Sequence, residues 1–504
     1  MKSKIIFKNY ITKIFSSGII IVLGFFVTPF LLKHLGKEDF GLFKLTSDWL
    51  SIAGIFEHAL AVAMLTMFST STDLNRDNKT WQAFKIYFHY ALAGTILFFL
   101  ATPFLPYLFK IPENKINIVR MSYIVGSLSF LLLPFTALKF WLEFKEKSYL
   151  LNTIRLLQTV LTSLLAITFV CLSMGIIGQF TSALLGNLFF SFSMFYYFKK
   201  YKSQESYKVD YKEIRNEINQ IIHELNLSGL TLSVCGRISF LTDTILLGFY
   251  FSPSEILPFV FTQKIILMIQ ENLQSVGNAS WASLMDCYRK GEQENFENNL
   301  YSISKVSNYM AVTLLTPLLI VNKNFISLWV GSQFYHSFSL TLMATLIAYF
   351  RSTYSLWMWC LSGNGNVKTQ IKIEATHTMV NLICSLILIR YVGFLGPVGG
   401  TLIGCVFVYS WMVPLAMKNH LNINTAKLLK SLMYPLASAI PLYFLLNQFS
   451  KKMPVTNWFN LGVAYCIMCI FAIFYLYIFC LNKNEKSFLA SLVKSKIERK
   501  LEKP

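Results

Sequence analysis

The residues best placed to do chemistry in this 504-residue chain are charged side chains set inside long apolar runs. Between residues 41 and 67, Lys44, Ser51 and His58 recur every seven positions, Asp48 follows Lys44 by four, and Glu57 sits beside the stripe. Between 228 and 250, Ser233, Arg237 and Thr244 repeat the four-and-seven spacing, with Asp243 adjoining Thr244. Between 256 and 284, Lys264, Glu271 and Asn278 are heptad-spaced, with Ser275 on the same stripe. Lys139 and Arg351 stand singly in two further apolar runs. At about 100° per residue, each set shares one helix face. A charge at mid-bilayer costs about 2.5–3.5 kcal/mol on the insertion scale, so such faces turn from lipid towards a bundle interior or a water-filled cavity. Together they describe a polar, partly cationic space between helices.

Each position also has a structural reading. Lys44 and Asp48, four apart, can simply pair, and Lys264 with Glu271 can also be structural. Lys139 lies near a predicted cytoplasmic end and can reach the interface along its stem, and Glu57 and His58 suit the interface as well. Glu374 and His377 are expected in the interface at the start of their span. Arg237 is harder to place that way: it lies nine residues inside its run, and its nearest acid in sequence, Asp243, is a turn and a half away. Arg237 is therefore expected to line a functional cavity, with Lys264, Lys44 and Arg351 as further cavity cations.

Other chemistries lack their motifs. The sequence contains no Walker-type phosphate loop, no HExxH, no GxSxG elbow and no Cys/His spacing suited to zinc, so no catalytic or metal-binding residue is assigned. All nine cysteines lie within or beside apolar runs and read as packing residues without a disulfide framework.

The elements that must position these residues follow from composition. The chain is 54% hydrophobic and 14% charged, against about 25% charged in soluble proteins. Mean hydropathy is +0.50. The net charge of +20 sits in short runs between apolar stretches, which excludes a nucleic-acid-binding or disordered chain and points to an integral membrane protein. Runs of about 20 apolar residues suffice to cross the hydrocarbon. They predict fourteen spans: 11–32, 41–67, 86–108, 121–142, 156–175, 178–198, 228–250, 256–284, 306–325, 338–361, 373–390, 396–417, 432–447 and 457–481. Counting the Lys and Arg in the outermost three residues of a span with the adjoining segment, the terminal segments and even-numbered loops carry 31 of the 45 and the odd-numbered loops carry 9, which places both termini in the cytoplasm.

The expected organisation is all-α and integral to the membrane. Residues 1–198 form a six-helix lobe, 199–227 a cytoplasmic connecting loop, and 228–417 a second six-helix lobe. Two additional helices follow in 418–481, and 482–504 is a basic cytoplasmic tail. Six spans before the loop allow a parallel, pseudo-symmetric repeat, which the turn–Glu–apolar patterns of His34–Leu42 and Phe251–Phe259 support faintly. No loop exceeds roughly 30 residues, leaving no room for a separate catalytic domain.

Three segments carry a family resemblance: Leu35-Gly36-Lys37-Glu38-Asp39-Phe40-Gly41-Leu42-Phe43; Gly236-Arg237-Ile238 through Asp243 to Ser252-Pro253-Ser254-Glu255-Ile256; and Phe325-Ile326-Ser327-Leu328-Trp329-Val330-Gly331. With the span count and mid-chain loop, they resemble bacterial polysaccharide and O-antigen repeat-unit flippases of the multidrug/oligosaccharidyl-lipid/polysaccharide (MOP) exporter superfamily. The resemblance implies a MATE-like fold in the bacterial inner membrane and alternating access through a central cavity. It also implies translocation of undecaprenyl-diphosphate-linked oligosaccharides for O-antigen or capsule assembly. No cofactor is implied; an ion gradient or the membrane potential supplies the energy, with Asp243, Asp48 and Glu271 as ion-coupling candidates. Implied partners are membrane lipids, a polysaccharide polymerase and a chain-length regulator, with no nucleic acid. The alternatives are an ion-coupled small-molecule or drug antiporter of the same superfamily and, behind it, a membrane polysaccharide polymerase.

Overall fold

The computed structural model describes residues 2–52, 73–202, 243–453 and 455–480, together with 54, 55, 57, 64, 212, 216, 231, 232 and 234–237. His58, Ser233, most of the predicted loop 199–227 and the tail 482–504 lie outside the described residues. The chain divides into two compact units, Met1–Leu257 and Pro258–Pro504. Ten described helical stretches are long and apolar enough to cross a membrane.

In the first unit, α1 (Lys2–Ser51) holds the first predicted span and the start of the second. Gly36 separates them with φ 80° and ψ 168°, a left-handed conformation that glycine adopts without a Cβ penalty. This break is the turn expected at His34–Leu42. Next come α2 (Asp73–Ala101), α3 (Ile116–Leu128), α4 (Phe135–Phe144), α5 (Ser148–Cys171) and α6 (Gly175–Tyr201). The predicted span 121–142 is not one helix. After α3 the chain tightens into a 3-10 turn over Ser129–Leu132, and α4 starts beyond Pro134, which has no N–H to give to a continuous ladder. Tyr87, Leu138, Trp141, Ile154, Met194 and Phe198 form the core where α2, α4, α5 and α6 meet. Asp77 is buried there and satisfied, accepting from Trp141 Nε1 at 2.6 Å with Lys145 Nζ at 3.6 Å. Asn9 fastens the start of α1 to the turn before α5 by accepting from Tyr149 N at 2.8 Å and donating to Glu146 O at 3.1 Å.

The division at residue 257, beyond the predicted 199–227 boundary, has local causes. Lys110 Nζ donates to Tyr250 O at 2.6 Å, and Phe109 stacks on Phe249 with centroids 5.6 Å apart. Gly41 sits flat against the Pro253 carbonyl, where any Cβ would collide with backbone. Residues 243–257 are therefore held by the first unit, including the start of α7 (Pro253–Arg289).

The second unit continues α7 and adds α8 (Gln293–Trp329), α9 (Phe338–Gly363), α10 (Val367–Val392), α11 (Leu395–Gly404), α12 (Ser410–Leu421), α13 (Thr425–Ser450) and α14 (Trp458–Phe479). A π-turn over Cys405–Tyr409 joins α11 to α12 within one predicted span. Gly396, Gly400 and Gly404, four apart, let α11 approach the α10 backbone closely. A Cβ on Gly400 would lie 2.6 Å from Ser385 N and 2.8 Å from Asn381 O. Small-residue seams of this kind drive helix association where lipid removes the hydrophobic incentive. Interhelical amide bonds add to it: Asn322 Nδ2 donates to Thr262 O and Asn308 Nδ2 to Ser431 O, both at 2.9 Å. The outer faces of both units expose large apolar side chains such as Phe26, Leu100, Phe192, Phe407 and Phe474, as contact with acyl chains requires.

Candidate functional site

The first unit carries a partly open cavity of about 450 Å³, built by helices that meet where α3 and α4 are interrupted. One wall comes from the end of α1 and the residues beyond it, with Ser47, Ser51, Gly54 and Glu57; α4 brings Lys139, α5 brings Arg155 and Gln158, and α6 brings Asn187. Phe98, Phe130, Phe180 and Phe190 supply aromatic faces. Lys139 Nζ lies 3.3 Å from Glu57 Oε1, so this pair is neutralised in place. Gln158 Nε2 donates to Asn187 Oδ1 at 2.8 Å, which aligns two amides and leaves further donors and acceptors for a solute.

Two arginines stand apart from this pairing. Arg155 lines the cavity, and the Arg237 guanidinium lies against Gly54, where a Cβ would come within 2.7 Å of Nη2. Both are half-buried, and neither forms an ion pair or side-chain hydrogen bond with a described residue. Among the described lining residues Glu57 is the only acid and is already matched by Lys139, so with Arg155 the described lining carries net positive charge. Planar guanidinium forks grip phosphate or carboxylate oxygens bidentately. Paired amides and aromatic faces suit hydroxyl-rich rings.

The other nominated residues fall into separate settings. Lys44 and Asp48 pair with each other within α1, and Ser51 Oγ donates to Asp48 O at 2.6 Å. Asp243 is half-buried in the helical residues 243–250 that precede α7, and it is not without a partner. Lys264 and Glu271 are exposed on α7 in the second unit. Arg351 on α9 acts electrostatically on Glu374, His377 and Tyr409.

Glu374 and His377, expected in the interface at the start of their span, stand in a side-chain cluster within the second unit. The Tyr409 hydroxyl donates to Glu374 Oε2 at 2.7 Å, and the fully buried His377 ring stacks on Tyr409 at 4.1 Å and 2°. His377 Nε2 lies 3.8 Å from Cys405 Sγ. Two features make this possible: the π-turn carries Tyr409 over α10, and Gly404 leaves the room that a Cβ, 2.9 Å from the His377 ring, would take. π-turns recur at functional sites.

Sequence reading passed over Arg155, Gln158 and Asn187. The first two are three apart at the start of a span, which puts them on one helix face, but Arg155 was indistinguishable from the flanking positive charge of a cytoplasmic loop.

No protein-family model matches the chain. An uncharacterized membrane protein, EpsK of Bacillus subtilis, is 23% identical over 328 residues, covering 62% of this chain and 63% of that protein. The match thus spans less than two thirds of that relative's length. Among solved structures, the lipid II flippase MurJ in an inward closed conformation superposes with a TM-score of 0.68 at 16% identity, over 93% of this chain and 98% of its own. The eukaryotic MATE transporter AtDTX14 superposes with a TM-score of 0.58 at 13% identity, over 85% and 95%. The chain is an all-α, multi-pass membrane protein with the fold shared by these two solved structures.

Proposed function

We propose that the chain is a flippase that moves undecaprenyl-diphosphate-linked oligosaccharide repeat units from the cytoplasmic to the periplasmic leaflet of a bacterial inner membrane, for O-antigen or capsule assembly. The observation that supports this reading is the cavity in the first unit, where Arg155 lies with the Gln158–Asn187 amide pair and Arg237 packs against the lining residue Gly54, neither arginine having an anionic partner among the described residues. A diphosphate bearing several sugars cannot cross hydrocarbon unshielded, whereas its prenyl tail can stay in lipid. The arginines hold the diphosphate, the amides and phenyl faces hold sugar rings, and alternating access carries the polar part across. Binding stays modest so that the product can leave. Lys44, Lys264 and Arg351 are further candidate contacts along the path. An ion gradient or the membrane potential drives the cycle, with Asp243, Asp48 and Glu271 as coupling candidates. Both termini are cytoplasmic, and the working partners are a polysaccharide polymerase and a chain-length regulator.

The flippase reading is favoured over a drug antiporter because the surplus charge in the cavity is positive, which repels cationic compounds. Deleting the gene tests it: the lipid-linked unit accumulates on the cytoplasmic side and surface polymer falls. Normal polymer without accumulation, together with altered sensitivity to cationic compounds, selects the antiporter instead.

A further inference from the structure

We propose that the second unit carries a binding site for the phosphate headgroup of an anionic phospholipid, in a cavity framed by the starts of α8 and α13 and the end of α14. The site is independent of the transport reading. The cavity measures about 500 Å³ and is lined by Lys305, Lys427 and Lys430 with Tyr301 and Ser302, and none of the described lining residues is acidic. Glu297 is the neighbouring acid, and its Oε1 is engaged, accepting the Tyr301 hydroxyl at 2.6 Å and Asn424 N at 3.4 Å. Lys427 and Lys430 are exposed, and Lys430 forms no ion pair with a described residue.

The frame is fixed before any ligand arrives. Asn424 Oδ1 caps α13 by accepting from Ala426 N at 3.0 Å and Lys427 N at 3.2 Å, which sets Lys427 and Lys430 on one face, three residues apart. The same Tyr301 hydroxyl, shared between Glu297 and the backbone, lies 3.0 Å from Asn424 O, and Tyr309 donates to Cys480 O at 3.0 Å, tying α13 and α14 to α8.

The remaining wall is apolar and faces outwards. Tyr434 and Phe479 line the cavity while exposing 63% and 73% of their surface on helices apolar enough to span a membrane. A pocket that joins the exposed ammonium groups of Lys427 and Lys430, with Lys305 engaged beside them, to an open aromatic flank fits a phosphodiester whose acyl chains continue into the bilayer. A free phosphate uses the lysines alone and leaves that flank bare. Basic pockets between membrane helices take acidic lipid headgroups in this way, and each lysine contributes about fivefold in affinity.

The test uses the purified full chain in neutral detergent, titrated with phosphatidylglycerol, phosphatidylcholine or inorganic phosphate and read by native mass spectrometry and thermal melting. Phosphatidylglycerol is expected to stay bound and raise the melting temperature, and phosphatidylcholine is not. The variant Lys305→Gln/Lys427→Gln/Lys430→Gln should lose about 100-fold in phosphatidylglycerol affinity. A control with three exposed lysines changed elsewhere, Lys85→Gln/Lys368→Gln/Lys372→Gln, should bind as the unmodified chain does. If the triple variant melts early without lipid, the single charge reversal Lys430→Glu replaces it and should weaken binding at least tenfold. Unchanged binding in the folded variants overturns the site, and inorganic phosphate acting as well as the lipid overturns the headgroup assignment.

Discussion

At the scale of single residues, the account rests on two guanidinium groups. Arg237→Ala is expected to abolish transport at unchanged membrane abundance, and Arg237→Lys to restore it in part, because an ammonium cannot reproduce the bidentate fork. Arg155→Ala should lower transport by about tenfold or more, the worth of one lost charged hydrogen bond. Both are measured by complementing a deletion strain and quantifying surface polymer against protein level. Arg237 was legible in sequence because a lone cation deep in an apolar run has no inexpensive structural role. Arg155 was not, since a cation at a span boundary reads as topology, and the Gln158–Asn187 pair joins positions 29 apart that no helical period connects. In the second unit, Tyr409→Phe strips Glu374 of its hydroxyl donor. It should destabilise the protein by about 1–3 kcal/mol, read as earlier thermal unfolding in detergent.

At the scale of elements, glycine and proline decide where helices break and touch. The break at Gly36 could be read from the polar turn around it, whereas the interruption at Pro134 could not, because hydropathy averages over the backbone and reports one span from 121 to 142. The π-turn at Cys405–Tyr409 has no compositional mark at all. Its placement of Tyr409 beside Glu374 explains why two residues expected at the interface lie in a polar cluster. Gly400→Leu should force α11 away from α10 and cost about 1–3 kcal/mol or more, seen as lost folded yield and a lower melting temperature, while Gly18→Leu, with open space around it, should leave both nearly unchanged. The start of α7 offers a pH test. Ser252 donates to Glu255 Oε2 through Oγ at 2.7 Å and through its backbone N–H at 2.8 Å, which holds this carboxyl below the usual carboxylate range. A depressed folded value stabilises the helix start above the unfolded value near about 4.3, and the contribution fades as pH falls through the folded value. Glu255→Gln should therefore lower the melting temperature slightly at neutral pH, and the difference from the unmodified chain should shrink on acidification.

At the scale of the molecule, the membrane class and the helical architecture follow from hydropathy and span spacing, the fold is what the family resemblance implies, and comparison with solved structures bears out that fold. The division of the chain was less readable. Polarity marks 199–227 as a boundary, but tertiary packing through Gly41, Phe109 and Lys110 carries the first unit on to residue 257. The central claim is that cations in the first unit's cavity move a lipid-linked oligosaccharide between leaflets. Its most direct measurement is the fraction of that lipid accessible from the periplasmic face in cells with the unmodified chain, with Arg237→Ala, or with no copy of the gene. The account predicts ready access with the unmodified chain and confinement to the cytoplasmic leaflet in the other two. Equal access in all three, or full access with Arg237→Ala at matched abundance, would contradict it.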